Sequence, residues 1–302
     1  MKTNKQLSSY GGLYLLFIFL ITPVTQAADC IAVIPAGSGH AFWKAVGEGA
    51  KDAGKKVGVD IFFRGPSDES KADAQLEVIN IAENEKKCKG LVLAPSNQSR
   101  AIDVARLKGK NIPTVYIDRD PGKADIVGVI STDNFAAGKL AAKKMAKTLG
   151  NKGNVAILRL KKGVQSTTLR EDGFLEGAKE SGLTVVVDTY VGSNIGEIRR
   201  NTKKALGNAK LNGVFTPNET TTIGVQAELQ GIKGLDKIVH IGFDISDSIK
   251  DGIKAGKIYG VIVQRPYQMG YKGVMAIQET LKGQTVEPYI DTGVEFLTVS
   301  DL

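Results

Sequence analysis

Two cysteines, two histidines and one tryptophan are all that the 302 residues contain of those types, and each scarcity removes a class of function. With His40 and His240 as the only imidazoles, the chain has little general-base capacity near neutral pH. Neither Cys30 nor Cys88 has a histidine close by in sequence, which argues against a thiol nucleophile. There is no Gly-x-Ser-x-Gly nucleophile turn, no spaced metal-ligand cluster and no Walker-type phosphate loop. Gly37-Ser38-Gly39 lacks the third glycine of a dinucleotide fingerprint. The expectation is therefore a protein that is not an enzyme and needs neither cofactor nor metal. The formal charge is +8, but lysines alternate with acidic residues and no block of like charge is present. That pattern reads as a solvated basic surface and excludes a nucleic-acid partner. No Pro-rich or Ser-rich linker and no low-complexity tract divides the chain.

One long apolar run is present, at residues 13–21 (LYLLFIFLI), behind Lys2 and Lys5 and ahead of Thr25-Gln26-Ala27. A positive start, an apolar middle and a small-residue end make residues 1–27 a secretory signal peptide, with cleavage before Ala28. The alternative, a membrane anchor, needs roughly 20 apolar residues. Lipid attachment at Cys30 would need a small residue before it, where Asp29 stands. The mature protein is expected to be exported and soluble. In an exported chain an even pair of cysteines invites a disulfide. Cys30 immediately precedes the apolar run 31–34, and Cys88 lies just ahead of the run 91–93. If those runs are neighbouring parallel strands, the two thiols sit at the same end of the sheet, within reach of each other. Two separate buried thiols are the alternative.

From residue 31 onward, short apolar runs alternate with helical periodicity. The first series of strands is predicted at 31–34, 59–63, 91–94, 114–117 and 127–130. Residues 41–57 place Phe42, Ala45, Val46, Ala50 and Ala53 at spacings of three and four, the mark of a helix with one buried face. A second series follows at 155–158, 185–187, 214–216, 238–241 and 258–263, separated by helices predicted at 134–149, 169–181, 195–209 and 245–255. Unbroken apolar strands are buried on both faces, so the fold class is α/β, with two doubly wound parallel-sheet lobes of about five strands each. Gly58, Gly109, Gly182 and Gly256 fall near helix ends, where freedom to take positive φ is useful.

Doubly wound sheets hold ligands beyond the C-terminal ends of their strands. After the first strand come Pro35 to Gly39, then His40, Phe42 and Trp43. A sugar ring has C–H faces that pack on an aromatic plane, although either aromatic could instead pack between helix and sheet. After the fourth strand come Asp118 and Arg119, an acceptor-only carboxylate beside a five-donor guanidinium, able to bracket vicinal hydroxyls. A surface ion pair is the bland alternative. The second half adds Arg170, Asn218, Asp244 and Gln264 at corresponding places.

The segments HAFWKAVGEGAK, IPTVYIDRD, STDNFAAGKLAA, LREDGFLEGA, VFTPNETTTIGV, HIGFDISD and VIVQRPYQMGYKGV, in this order, resemble the periplasmic sugar-binding proteins of the ribose and galactose type. These are the substrate-binding proteins of ABC transporters with the type I periplasmic binding protein fold, and the resemblance runs from about residue 31 to residue 281. It implies a monosaccharide or polyol held between lobes by His40, Phe42, Trp43, Asp118, Arg119, Arg170, Asn218, Asp244 and Gln264. It also implies a three-segment hinge near 131–133, 264–265 and 292–293. The N-terminal lobe would comprise 28–131 plus 265–292, and the C-terminal lobe 132–264 plus 293–302. The expected partner of the monomer is an ABC permease in the inner membrane. Presentation of the ligand to a chemoreceptor or sensor kinase is the alternative. A repressor on the same lobes would carry a helix-turn-helix where this chain has an export signal.

Three departures stand out. Ribose binders have Asn-Pro where this chain has His40-Ala41, so His40 either bonds the ligand or caps the helix. Arg159 and Lys161 follow the first strand of the second lobe; if they reach the cleft, an anionic sugar derivative becomes possible, and otherwise they are solvated at the rim. The Asn194 region, expected near the second lobe's stacking position, has no aromatic.

Overall fold

The computed structural model describes residues 1–2 and 29–302, apart from 68, 70, 123 and 236. The expected signal peptide, residues 1–27, with its cleavage before Ala28, otherwise lies outside the described residues. The first sheet contains β1 (Cys30–Ile34), β2 (Asp60–Phe63), β3 (Gly90–Leu93), β4 (Thr114–Ile117), β5 (Gly128–Ser131) and, from far along the chain, β11 (Tyr289–Asp291). Its order is β11-β5-β4-β3-β1-β2 and every pairing is parallel. The second sheet contains β6 (Gly153–Arg159), β7 (Leu183–Tyr190), β8 (Gly213–Phe215), β9 (Val239–Phe243), β10 (Gly260–Gln264) and β12 (Val294–Thr298). Its order is β12-β10-β9-β8-β6-β7, parallel except for β12 against β10. The helices are α1 (Ala41–Val57), α2 (Ala72–Asn80), α3 (Arg100–Lys108), α4 (Asn134–Leu149), α5 (Gln165–Glu180), α6 (Ile195–Leu206), α7 (Glu219–Leu229), α8 (Asp247–Lys254) and α9 (Pro266–Leu281).

Each sheet thus has six strands where periodicity predicts five. The extra members, β11 and β12, lie at sheet edges and are only partly buried, so no apolar run announces them. The edge strand β7 spans eight residues rather than the predicted three, because its exposure alternates along the strand. Gly58, Gly182 and Gly256 do take positive φ, whereas Gly109 stays right-handed at φ −60° and the left-handed turn after α3 falls to Asn111 at φ 58°. The chain crosses between the sheets after β5, after β10 and between β11 and β12. These crossings are tied together: Thr132 Oγ1 donates to Gln264 Oε1 at 2.9 Å, and the Thr292 amide donates to the Ser131 carbonyl at 2.9 Å.

Cys30 and Cys88 form a disulfide that joins the start of β1 to the segment leading into its neighbour β3. The bridge closes a loop with a sequence separation of 58, which in the chain-entropy description stabilises the fold by about 4 kcal/mol. We expect the Cys30→Ala/Cys88→Ala protein to unfold at a lower urea concentration, with about 2–4 kcal/mol lost. Coincident urea midpoints for the two proteins would contradict this. His240 lies in β9, fully buried, with Nε2 2.9 Å from Thr216 Oγ1. Burial pushes its pKa down to about 3, so the ring is neutral and contributes no charge near neutral pH.

Candidate ligand-binding cleft

All nine residues singled out from the sequence line one cavity between the C-terminal ends of the two sheets. Glu69, Leu160, Val164, Ser166, Thr167, Glu219 and Thr220 complete its wall.

Two of the nine share an unusual backbone. Asp118 directly follows β4 and Asp244 directly follows β9, with φ of 68° and 70°, in the left-handed region that non-glycine residues seldom occupy. The Asp118 amide donates to the Ile130 carbonyl at 3.2 Å, and the Asp244 amide donates to the Ile262 carbonyl at 2.8 Å. The turn is therefore the same in both sheets, and it delivers a carboxylate to the cavity from each side. Strain held at matching places in two sheets is characteristic of a binding site.

On the first sheet's side, α1 begins at Ala41 with His40 at its N-cap position. The His40 side chain makes no capping bond, so it lines the cavity without capping the helix. Phe42 and Trp43 meet edge to face, with ring centroids 4.7 Å apart, and both are buried in the core while lining the cavity. The two roles weighed for these aromatics, packing and lining, coexist. Trp43 Nε1 donates to Glu69 Oε1 at 3.0 Å, and Arg119 lies over the indole, 5.9 Å from its centroid. Arg119 Nε donates to Asp118 Oδ2 at 2.6 Å and Nη2 to Glu69 Oε2 at 3.2 Å. Burial alone would raise the Glu69 carboxyl, but Arg119 and the Trp43 bond hold it below its ordinary value.

On the second sheet's side, Arg170 projects from α5. Its Nε donates to Asn134 Oδ1 at 2.8 Å, Nη1 donates to the Pro217 carbonyl at 2.9 Å, and the guanidinium stacks 4.0 Å from the Phe243 ring centroid. Among the described residues Nη2 has no hydrogen-bond partner, and it lies 3.9 Å from Asp118 Oδ1. Asn218 caps α7, its Oδ1 accepting from the Thr221 amide at 3.0 Å. Asp244 accepts from Gln264 Nε2 at 2.7 Å and from the Glu219 amide at 3.0 Å. Burial raises the Asp244 carboxyl above its ordinary value, against the pull of Arg170.

The charged departures resolve differently from the expectation. Arg159 neither reaches the cavity nor sits solvated at its rim: it is 8% exposed and donates to Asp188, and through Nη1 to Glu171 at 3.0 Å. Lys161 is half-buried, donates to the carbonyl of the wall residue Glu69 at 3.5 Å and is not itself part of the cavity wall, whereas Leu160, between Arg159 and Lys161, lines it. The support for an anionic guest is thereby removed. Asn194 caps α6, is exposed and is absent from the wall; the aliphatic Leu160 and Val164 stand on that side. Glu219 was legible, as the residue after Asn218 at a strand end. Glu69 lies in the irregular segment after β2, where no periodicity marks it.

The chain from residue 31 to residue 285 matches the family described as periplasmic binding protein domain. The chain belongs to that family. Its members are non-enzymatic components of transport, so this binding protein is not an enzyme, and a periplasmic location goes with the family. The ribose import binding protein of Haemophilus influenzae is 25% identical over 287 residues, covering 92% of this chain and 94% of that protein. The D-allose-binding periplasmic protein of Escherichia coli is 26% identical, covering 99% and 98%. Among solved structures, the periplasmic component of an ABC-type sugar transport system from Hahella chejuensis superposes with a TM-score of 0.84 at 31% identity, covering 89% of this chain and 100% of that one. An ABC transporter solute-binding protein from Agrobacterium vitis with bound D-fucose has a TM-score of 0.83 at 33% identity, covering 91% and 99%. XylFII in its complex with LytSN has a TM-score of 0.82 at 27% identity, covering 92% and 100%.

Proposed function

We propose that this binding protein captures a monosaccharide or similar polyol in the cleft and delivers it to an ABC importer of the inner membrane. The observation that carries this reading is the convergence, from both sheets, of carboxylates, guanidiniums and amides on one cavity with an aromatic wall. Each hydroxyl of a sugar both donates and accepts, so a mixed set of acceptors and donors satisfies it where a purely apolar pocket could not. Asp118 and Asp244 accept, while Arg119, Gln264 and the amide nitrogen of Asn218 donate. Arg170 Nη2, buried without a partner, donates to a guest oxygen. Trp43 or Phe42 supports a C–H face of the ring.

Segments 28–131 plus 265–292 form one lobe and 132–264 plus 293–302 the other, turning about the three tied crossings. The guest favours closure because only the closed form lets both lobes contact it. Residues 1–27 direct export and are then removed, and the mature protein acts as a monomer. Delivery to a sensor kinase is the second reading, kept by the likeness to XylFII in complex with LytSN. Import is favoured, because the curated relatives are named for import or periplasmic binding. A thermal-shift screen against pentoses, hexoses and inositols tests the proposal: a guest at a hundred times its Kd stabilises the fold by about 2.7 kcal/mol. No shift with any of them would refute it.

A further inference from the structure

Charge does not balance across the cavity. Among the described residues that line it, the carboxylates Glu69, Asp118, Glu219 and Asp244 face only the guanidiniums of Arg119 and Arg170. Arg119 is committed to Asp118 at 2.6 Å and to Glu69 at 3.2 Å. Arg170 approaches Asp118, at 3.9 Å, and gives its other donors to Asn134 and to the Pro217 carbonyl. Asp244 takes hydrogen bonds from uncharged donors, the Gln264 amide and the Glu219 backbone. The Glu219 carboxylate faces the first amides of α1, that of Phe42 at 3.5 Å and that of Ala41, with no side-chain donor bonded to it among the described residues. Glu219 and Asp244 are 7% and 6% exposed, adjacent, and in no ion pair among the described residues. Two neighbouring carboxylates withdrawn from water with no ion pair of their own are costly, and the only positive charge that reaches them among the described residues comes from Arg170, toward Asp244, and from His40, toward Glu219.

We propose that the guest is a hydroxylated ring bearing one protonated amine, an amino sugar or aminopolyol, whose ammonium group lies against Glu219 and Asp244. This rests on the reading of the cleft as a polyol site. An ammonium group has three donors and no acceptor, which suits two carboxylates whose other contacts are long or uncharged. Burial, and then Asp244, push the Glu219 carboxyl above its ordinary range against the pull of His40 and the α1 amides, and burial does the same to Asp244 against the pull of Arg170. His40 is the other titratable group on the wall.

The test is calorimetric titration of the whole mature protein at pH 7 with matched pairs: D-glucosamine and D-glucose, D-galactosamine and D-galactose, an inosamine and its inositol. In at least one pair the amine is expected to bind about tenfold tighter or more, on the scale of a charge-assisted hydrogen bond. Glu219→Gln should erase that preference by weakening the amine far more than its neutral partner, and Glu219→Asp, which keeps the charge, should retain most of it. Thermal melting of both variants establishes that they fold. Neutral sugars that bind as tightly as their amines in every pair would overturn this inference and leave the capture of a polyol standing. Equal weakening of both members by Glu219→Gln would also overturn it, making Glu219 a contact that merely holds α1 against α7. Binding of neither kind would overturn this inference, and if the thermal-shift screen is silent as well, the capture of a polyol falls with it.

Discussion

Arg170→Ala is expected to weaken capture of the guest by about a hundredfold or more, the largest loss of any single truncation in the cleft. The side chain is 2% exposed and performs several tasks at once. It holds Asn134 at the start of α4, ties down the Pro217 carbonyl ahead of α7, and stacks on Phe243. It also brings positive charge to Asp118 and Asp244. Burial pulls the Arg170 pKa below its ordinary value while those two carboxylates oppose the change, so the guanidinium and the acids depend on each other. Removing one partner of a buried charged cluster leaves the others uncompensated, at about 3–5 kcal/mol. The loss divides between folding and binding, so urea denaturation and calorimetric titration are both needed. Lysine should not restore affinity, since a point charge on a flexible stem cannot reproduce the three directions of the guanidinium. Affinity within about threefold of the parent protein for Arg170→Ala would exclude it from the site.

Gly138→Ala is expected to destabilise the fold by about 3 kcal/mol and to lower affinity as well. Helices α4 and α5 meet at Gly138 and Gly173: a Cβ on Gly138 would stand 2.0 Å from the Arg170 carbonyl, and one on Gly173 would stand 2.1 Å from the Phe135 carbonyl. Both obstacles are backbone, so the helices themselves must separate. Because α5 carries Arg170 and α4 begins at its partner Asn134, separation also disturbs the cleft. The same device, Gly49 and Gly270, joins α1 to α9. Helix propensity alone would give the opposite sign, since alanine is favoured over glycine by about 1 kcal/mol in a helix interior. Gly196→Ala in α6, where the nearest atoms stand at 3.7 Å, supplies the control and should cost nothing. Equal melting temperatures for Gly138→Ala and Gly196→Ala would show that the close approach does not matter.

Legibility followed burial. Strands β1, β3, β4 and β8 are almost wholly buried and read as plain apolar runs. Helices α1 and α4 begin and end where their periodicity predicts, with Gly58 and Gly150 turning left-handed at their ends. Edge strands β7, β11 and β12 were short or invisible in sequence, because a half-exposed strand needs no continuous apolar run. The rule that ligands gather beyond strand ends, together with the family resemblance, picked out nine residues that line one cavity. It passed over Ser166 and Thr167, which enter from the first turn of α5, because small hydroxyl residues at a helix start have ordinary capping uses.

The sequence by itself determined the alternation of strands and helices, two sheets of five strands each without β11 and β12, and the family, because these follow from local patterns along the chain. Only the tertiary structure decided which charges meet. Arg159 turned to Asp188 and Glu171 instead of the cleft, and Glu219 came to rest against Phe42, 177 positions away in the chain. Charge pairing depends on distances of a few ångströms between residues that periodicity does not relate, so it is settled only when the sheets have packed.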